Sequence, residues 1–338
     1  MQSVRKHSRL FSAALGLLLI ASSSAAFAQY QVVNLVSDLP GKAQHQDVLL
    51  KNPWGLAYGP GGAFWVSDEA SGWSTLYDGT GNPESLQVIV PPASGTGTGT
   101  PTGIVFNGSS DFTVGGASTF FLFATLDGTI SGWTGTSSSI IAVSSPGAVY
   151  TGLAITSKTS GNSLFAADAA NNKVDIYDGS FNLTGSFTDA KVPAGFAPFG
   201  IQDIGGQVYV TYASQTGGAG GFIDVFSEEG VLVQRLAHGA PLNQPWGLAV
   251  APKNFGPLSG ALLVSNNTGT GTINGFNLKS GKLVGTMTNR EGQALHIDGI
   301  WGIEFGGGTA ANGATNQLFF TAGPADTDGE FGAIIYRP

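Results

Sequence analysis

The amino-acid sequence predicts an all-β fold, a six-bladed β-propeller over residues 29–338 in which an N-terminal strand completes the last blade. Three observations predict it. A phrase built on glycine and a following aliphatic residue recurs six times at nearly even spacing. Each copy opens a unit of short apolar runs separated by turn residues, and a strand is left over before the first unit while the last unit lacks one.

The phrase reads Asn52-Pro-Trp-Gly-Leu-Ala57, Thr100-Pro-Thr-Gly-Ile-Val105, Val149-Tyr-Thr-Gly-Leu-Ala154, Ala197-Pro-Phe-Gly-Ile201, Gln244-Pro-Trp-Gly-Leu-Ala249 and Gly299-Ile-Trp-Gly-Ile303. Its glycines, at 55, 103, 152, 200, 247 and 302, are 48, 49, 48, 47 and 55 residues apart. We read each phrase as the innermost strand of a blade, with glycine required where neighbouring blades crowd around the axis.

A second apolar run follows in every unit, for example Phe64 to Ser67, Ser163 to Ala167 and Leu318 to Ala322. A third closes a hairpin on it, as in Ser74 to Tyr77, Lys173 to Tyr177 and Gly332 to Tyr336. Pairs such as Asp78-Gly79, Asp127-Gly128 and Asp178-Gly179 supply turns that tolerate left-handed backbone. A fourth, weaker run precedes the next phrase. The sixth unit lacks that run, while Tyr30 to Val36 is alternating, rich in β-branched residues and without a unit of its own. Pairing the two closes the ring and covers an exposed edge.

Residues 1–28 read as a cleavable secretory signal. Arg5, Lys6 and Arg9 precede an apolar run from Leu10 to Ala21, and Ala26-Phe27-Ala28 offers small residues two positions apart. The run is shorter than the roughly 20 residues a membrane span needs. The expectation is therefore a secreted or periplasmic protein with no membrane span after signal cleavage. Without the leader, 11 basic residues face 22 acidic ones, which disfavours nucleic acid as a partner. The chain has no cysteine, so neither disulfides nor thiolate chemistry enter. No Gly-x-Ser-x-Gly nucleophile elbow is present.

The segment Leu164-Phe-Ala-Ala-Asp-Ala-Ala-Asn-Asn-Lys-Val-Asp-Ile-Tyr-Asp178 resembles the blade signature of NHL-type propellers. Asn34-Leu-Val-Ser-Asp38, Asn52-Pro-Trp-Gly-Leu-Ala57, Phe196-Ala-Pro-Phe-Gly-Ile201, Ile297-Asp-Gly-Ile-Trp-Gly302 and Phe320-Thr-Ala-Gly-Pro324 extend the resemblance to a family of exported bacterial six-bladed propellers, some with PEP-CTERM sorting tails. The resemblance spans residues 29–338 and implies a fold and an export route, with no established activity.

Propellers place function at the channel mouth, where loops from distant repeats converge. Three histidines outside the leader precede glycine phrases: His45, His238 and His296. The same three units carry tryptophan just before the key glycine, at Trp54, Trp246 and Trp301, where the others have Thr102, Thr151 and Phe199. Asn52, Asn243 and Asp298 share these approach loops. Three uses are open. A pocket with aromatic walls suits a small polar ligand, a glycan or a protein segment. Asn52, Asn243 and Asp298, with Asp68 or Asp127, can hold Ca²⁺ for a hydrolase or lactonase, as similarity to gluconolactonase-like propellers implies. The three imidazoles can hold Zn²⁺, as in the NHL-like amidating lyases. The expectation is a binding module, with the metal-dependent enzyme as the alternative.

Overall fold

The computed structural model describes residues 29–156 and 161–338; the leader expected over residues 1–28 lies outside them. The described residues form six antiparallel blades around one axis. The innermost strands, in blade order, are Pro53–Tyr58, Pro101–Phe106, Tyr150–Thr156, Phe196–Asp203, Pro245–Val250 and Ile300–Phe305. Each phrase glycine lies inside one of these strands.

Ring closure follows the sequence expectation. Gln29–Ser37 pairs antiparallel with Glu330–Arg337 as the fourth strand of blade six, from Gln29 opposite Arg337 to Ser37 opposite Glu330. Beyond it, His45–Gln46 adds a short parallel strand against Val36 and Ser37. The fourth strands of blades four and five, Leu232–His238 and Leu283–Thr286, leave Leu232, Val233, Leu283 and Val284 exposed. A strand with one side in solvent keeps only part of the apolar pattern, which explains why these runs read weakly.

The glycines measure how tightly the ring is drawn. A Cβ on Gly200 would stand 1.9 Å from the Trp246 carbonyl oxygen of the next blade, and one on Gly247 would stand 2.5 Å from that of Trp301. Gly302 of blade six would meet the Trp54 carbonyl oxygen of blade one at 2.7 Å, so the first and last blades touch as the others do. Side chains are excluded because backbone occupies their space.

A hydroxyl ties four of the junctions, from one of two positions. In blades two and three, Thr102 Oγ1 donates to the Tyr150 carbonyl at 2.7 Å and Thr151 Oγ1 to that of Pro198 at 3.3 Å. In blades five and six, where tryptophan replaces that threonine, the second strand supplies the group. Ser265 Oγ donates to the Trp301 carbonyl at 2.6 Å and Thr321 Oγ1 to the Trp54 carbonyl at 2.7 Å. Residues facing the glycines on the second strands of blades two and three are Ala124 and Ala167, so each of these blades carries the hydroxyl once.

Each junction also has its own apolar core. Trp65 packs toward blade two with Phe121 and Phe123, whereas its neighbours Phe64 and Val66 pack toward blade six with Phe319 and Phe331. Both faces of a blade are thus buried, and its inner strands read as continuous apolar runs.

The innermost strands share one irregularity. Their pairing with the second strand slips at the glycine: Pro53 pairs with Asp68 but Leu56 with Val66, and Ile300 pairs with Ala322 but Ile303 with Phe320. Comparable shifts occur in the other four blades. Such a bulge resets which side chains face the axis.

Candidate functional site

All six innermost strands run the same way, so one mouth of the channel receives the residues before the glycines and the other those after them. At the first mouth the sequence-predicted tryptophans meet. Trp54 and Trp301 stack with ring centroids 3.7 Å apart and planes 18° apart. Trp246 meets both edge-on, at 6.2 and 5.8 Å, and Phe199 closes against Trp54 and Trp301. Trp246 Nε1 donates across the channel to the Thr151 carbonyl at 3.0 Å. Trp301 Nε1 donates to Asn52 Oδ1 at 3.1 Å, and Asn52 Nδ2 donates to Glu69 Oε2 at 2.8 Å. Trp54 Nε1 has no hydrogen-bond partner among the described residues. The three indoles are only 7%, 8% and 3% exposed for Trp54, Trp246 and Trp301. They fill this end of the channel with one another.

The histidines do not join them. His45 lies in the short strand outside the ring-closing strand. His238 ends the outermost strand of blade four, where its ring stacks on Phe222 with centroids 6.2 Å apart. His296 borders a surface cavity with Tyr30 and Gln31 of the ring-closing strand, its Nδ1 3.1 Å from the Thr270 carbonyl oxygen. All three stand on outer strands or beside them. They precede their glycines by 10, 9 and 6 residues. At about 3.3 Å per extended residue, that length is enough to cross a blade of four strands spaced about 4.8 Å apart.

Asn52 is committed to Trp301 and Glu69. The Asn243 backbone N–H donates to Asn266 Oδ1, and Asp298 is exposed. Asp68 is wholly buried; its Oδ2 accepts from the Thr75 N–H and hydroxyl, and burial holds its pKa well above the ordinary range. Asp127 accepts from Ala93 N and the Thr125 hydroxyl. Among the described residues no three His, Asp or Glu side chains form a group able to hold a metal ion. The three imidazoles therefore do not form the expected Zn²⁺ group among the described residues.

The opposite mouth is open. A cavity of about 350 Å³ is bordered there by Ala57, Tyr58, Val105, Phe106, Ala154, Ile155, Gln202, Asp203 and Glu304. A further recess of about 220 Å³ continues it between blades four and six, and a small void of about 30 Å³ lies deeper in the channel; Gln202 and Glu304 border all three spaces. Glu304 is half-buried, and desolvation pushes its carboxyl up to about 7 against a weaker opposing hydrogen bond from the Phe305 backbone. Desolvation also raises Asp203, whose Oδ1 accepts the Gly206 N–H at 3.1 Å. The Tyr58 phenol is raised by desolvation and by the charge of Glu304, which places the two groups within electrostatic reach. A carboxyl that titrates near neutrality can serve as hydrogen-bond donor, acceptor or charge.

Sequence reasoning passed over this mouth, although a signal was present. Two residues after the six glycines stand Ala57, Val105, Ala154, Gln202, Ala249 and Glu304. Two polar residues interrupt a register otherwise filled by small apolar ones.

No family model matches the chain. It is 30% identical over 332 residues to the uncharacterized protein R648 of Acanthamoeba polyphaga mimivirus, covering 90% of this chain and 80% of that protein. It is 30% identical over 338 residues to the uncharacterized protein L690 of the same virus, covering 92% and 87%. Among solved structures, the soluble aldose sugar dehydrogenase of Escherichia coli superposes with a TM-score of 0.58 at 11% identity, over 91% of this chain and 100% of that one. XC5397 of Xanthomonas campestris, described as a gluconolactonase, gives 0.55 at 14% identity, over 86% and 88%. At such identities the likeness is one of fold.

Proposed function

The chain belongs to the family of the mimivirus proteins R648 and L690, and on that footing we propose that it is a small-molecule-binding propeller whose site is the open channel mouth around Glu304, Gln202, Asp203 and Tyr58. One observation carries this reading: a cavity of about 350 Å³, within the range of ligand sites, has desolvated polar groups set among apolar walls. The first mouth supports it by contrast, since its aromatic faces are already engaged with each other. A thermal-shift panel of glucose, acetate and choline, each at millimolar concentration, tests the idea. The expected result is a rise in melting temperature with at least one probe, lost in Gln202→Ala and retained in Asp298→Ala on the far face. A ligand at 100 times its Kd stabilises by about 2.7 kcal/mol, well above detection. No shift with any probe, or a shift indifferent to Gln202, sinks the reading.

A second reading, a hydrolase or lactonase, is favoured by the same carboxyl, because a group near pH 7 is matched to proton transfer at neutral pH. Its metal-dependent form draws no support from the grouping of the described side chains. Turnover of a simple lactone with a pH profile turning near 7, abolished in Glu304→Gln, would put catalysis ahead of binding; absence of turnover leaves the binding reading in place.

A further inference from the structure

Resting on that binding reading, we infer that the occupant of the open mouth is a small organic cation, an ammonium or guanidinium group borne on a compact apolar body. Glu304 from blade six and Asp203 from blade four bring two carboxyl groups to the cavity, and Tyr58 and Phe106 bring two aromatic rings from blades one and two. Among the described residues bordering this mouth there is no lysine, arginine or histidine. The ion pairs found elsewhere, Lys51–Asp38, Lys173–Asp175 and Arg235 with Asp189 and Asp224, involve neither Glu304 nor Asp203. Among the described residues, neither carboxyl has a positive partner in these ion pairs or in the cavity lining.

Desolvation, only partly offset by backbone hydrogen bonds from Phe305 and Gly206, is what raises the two groups. A bound cation supplies the missing charge, favours the ionised carboxylates and is further attracted by aromatic side chains where ring faces are available. An anion would meet like charge on two sides. A neutral ligand can donate hydrogen bonds to the ionised forms but does not supply the missing charge. The formal charge of −8 for the whole chain draws cations toward the surface as well. The Tyr58 phenol feels the charge of Glu304 and Asp203 borders the same cavity, and deprotonation of Glu304 is the step that sets affinity near neutrality.

Isothermal titration calorimetry of the full chain with three probes of one shape tests the inference: choline, its neutral isostere 3,3-dimethylbutan-1-ol and the anion 3,3-dimethylbutanoate. The expected result at pH 8 is choline binding at least tenfold tighter than the alcohol. Its affinity should rise roughly tenfold from pH 6 to pH 8, and proton release should accompany binding below pH 7. Glu304→Gln should lose both the preference and the pH dependence, with circular dichroism confirming the fold; Asp203→Asn should weaken the preference without moving the pH midpoint. Equal or tighter binding of the alcohol or the anion, sensitive to Glu304→Gln, overturns the cation and leaves the site as a binding mouth. No binding by any of the three also overturns the cation, while the fate of the mouth itself then rests on the glucose and acetate arms of the thermal-shift panel.

Discussion

Replacing Glu304 by glutamine separates charge from shape at the open mouth. Its carboxyl is raised from an ordinary 4.5 to about 7 in the fold, with burial as the main cause. At 1.36 kcal/mol per pKa unit, a rise of this size corresponds to about 3 kcal/mol. The sign follows from proton counting: between pH 4.5 and 7 the folded state holds a proton that the unfolded state has lost. The stabilisation associated with the neutral acid is fully present below about 4.5 and is lost as pH rises through about 7. Glutamine cannot ionise and keeps nearly the same volume. The assay is urea unfolding of wild type and Glu304→Gln at half-unit steps from pH 4 to pH 8.5. The difference between the two should change by about 3 kcal/mol in favour of the variant, with a slope near 1.4 kcal/mol per pH unit between the two pKa values. In a melting experiment on a chain of this length the same change is on the order of 5 °C. A flat difference, or one that favours wild type as pH rises, refutes the assignment of a desolvated carboxyl to the channel.

Two further expectations concern the scaffold. Gly200→Ala, whose Cβ would lie 1.9 Å from the Trp246 carbonyl oxygen, should cost about 3 kcal/mol or more in urea unfolding, whereas Gly152→Ala, at 3.1 Å from the Phe199 carbonyl oxygen, should cost about 1 kcal/mol. Arg235 holds the buried carboxylates of Asp224 (Nε to Oδ1, 2.9 Å) and Asp189, so Arg235→Ala should cost about 3–5 kcal/mol, and Asp224→Asn added to it should recover part of the loss; equal stability of the single and double variants would show that the stranded charge is not the cause.

The architecture was legible because one physical demand, exclusion of side chains where blades abut, is made six times at regular spacing and leaves glycine each time. The unpartnered Tyr30 to Val36 and the incomplete sixth unit then fixed the closure. Radial position was less legible. Trp54, Trp246 and Trp301 stand next to the constrained glycines and so reach the axis, while His45, His238 and His296 are separated from those glycines by enough chain to cross a blade. Proximity in sequence to a central strand is therefore proximity to the axis only within a residue or two. The exchange of Thr102 and Thr151 for Ser265 and Thr321 was also written in the chain, but it becomes visible only once the second strand is registered against the first.

The open mouth was hidden by a more specific cause. Simple alternation along Trp301-Gly302-Ile303-Glu304 gives Trp301 and Glu304 opposite faces, which would turn the carboxyl away from any space that the indole occupies. The bulge at the glycine cancels that alternation, since three residues on the inner strand are matched to two on its partner between Ile300 and Ile303. Both residues then border the channel, three positions apart along one strand. Because the shift recurs in every blade, the channel is lined by two rings of side chains, one before the glycines and one after. Four of six members of the first ring are aromatic and pack into a plug; four of six members of the second are alanine or valine and leave a space. Gln202 and Glu304 are the exceptions in that second ring. Their polarity stands partly desolvated, with no cation among the described residues bordering it, and that pairing of an open lumen with a carboxyl lacking a counter-charge is the physical ground for placing ligand recognition at this end.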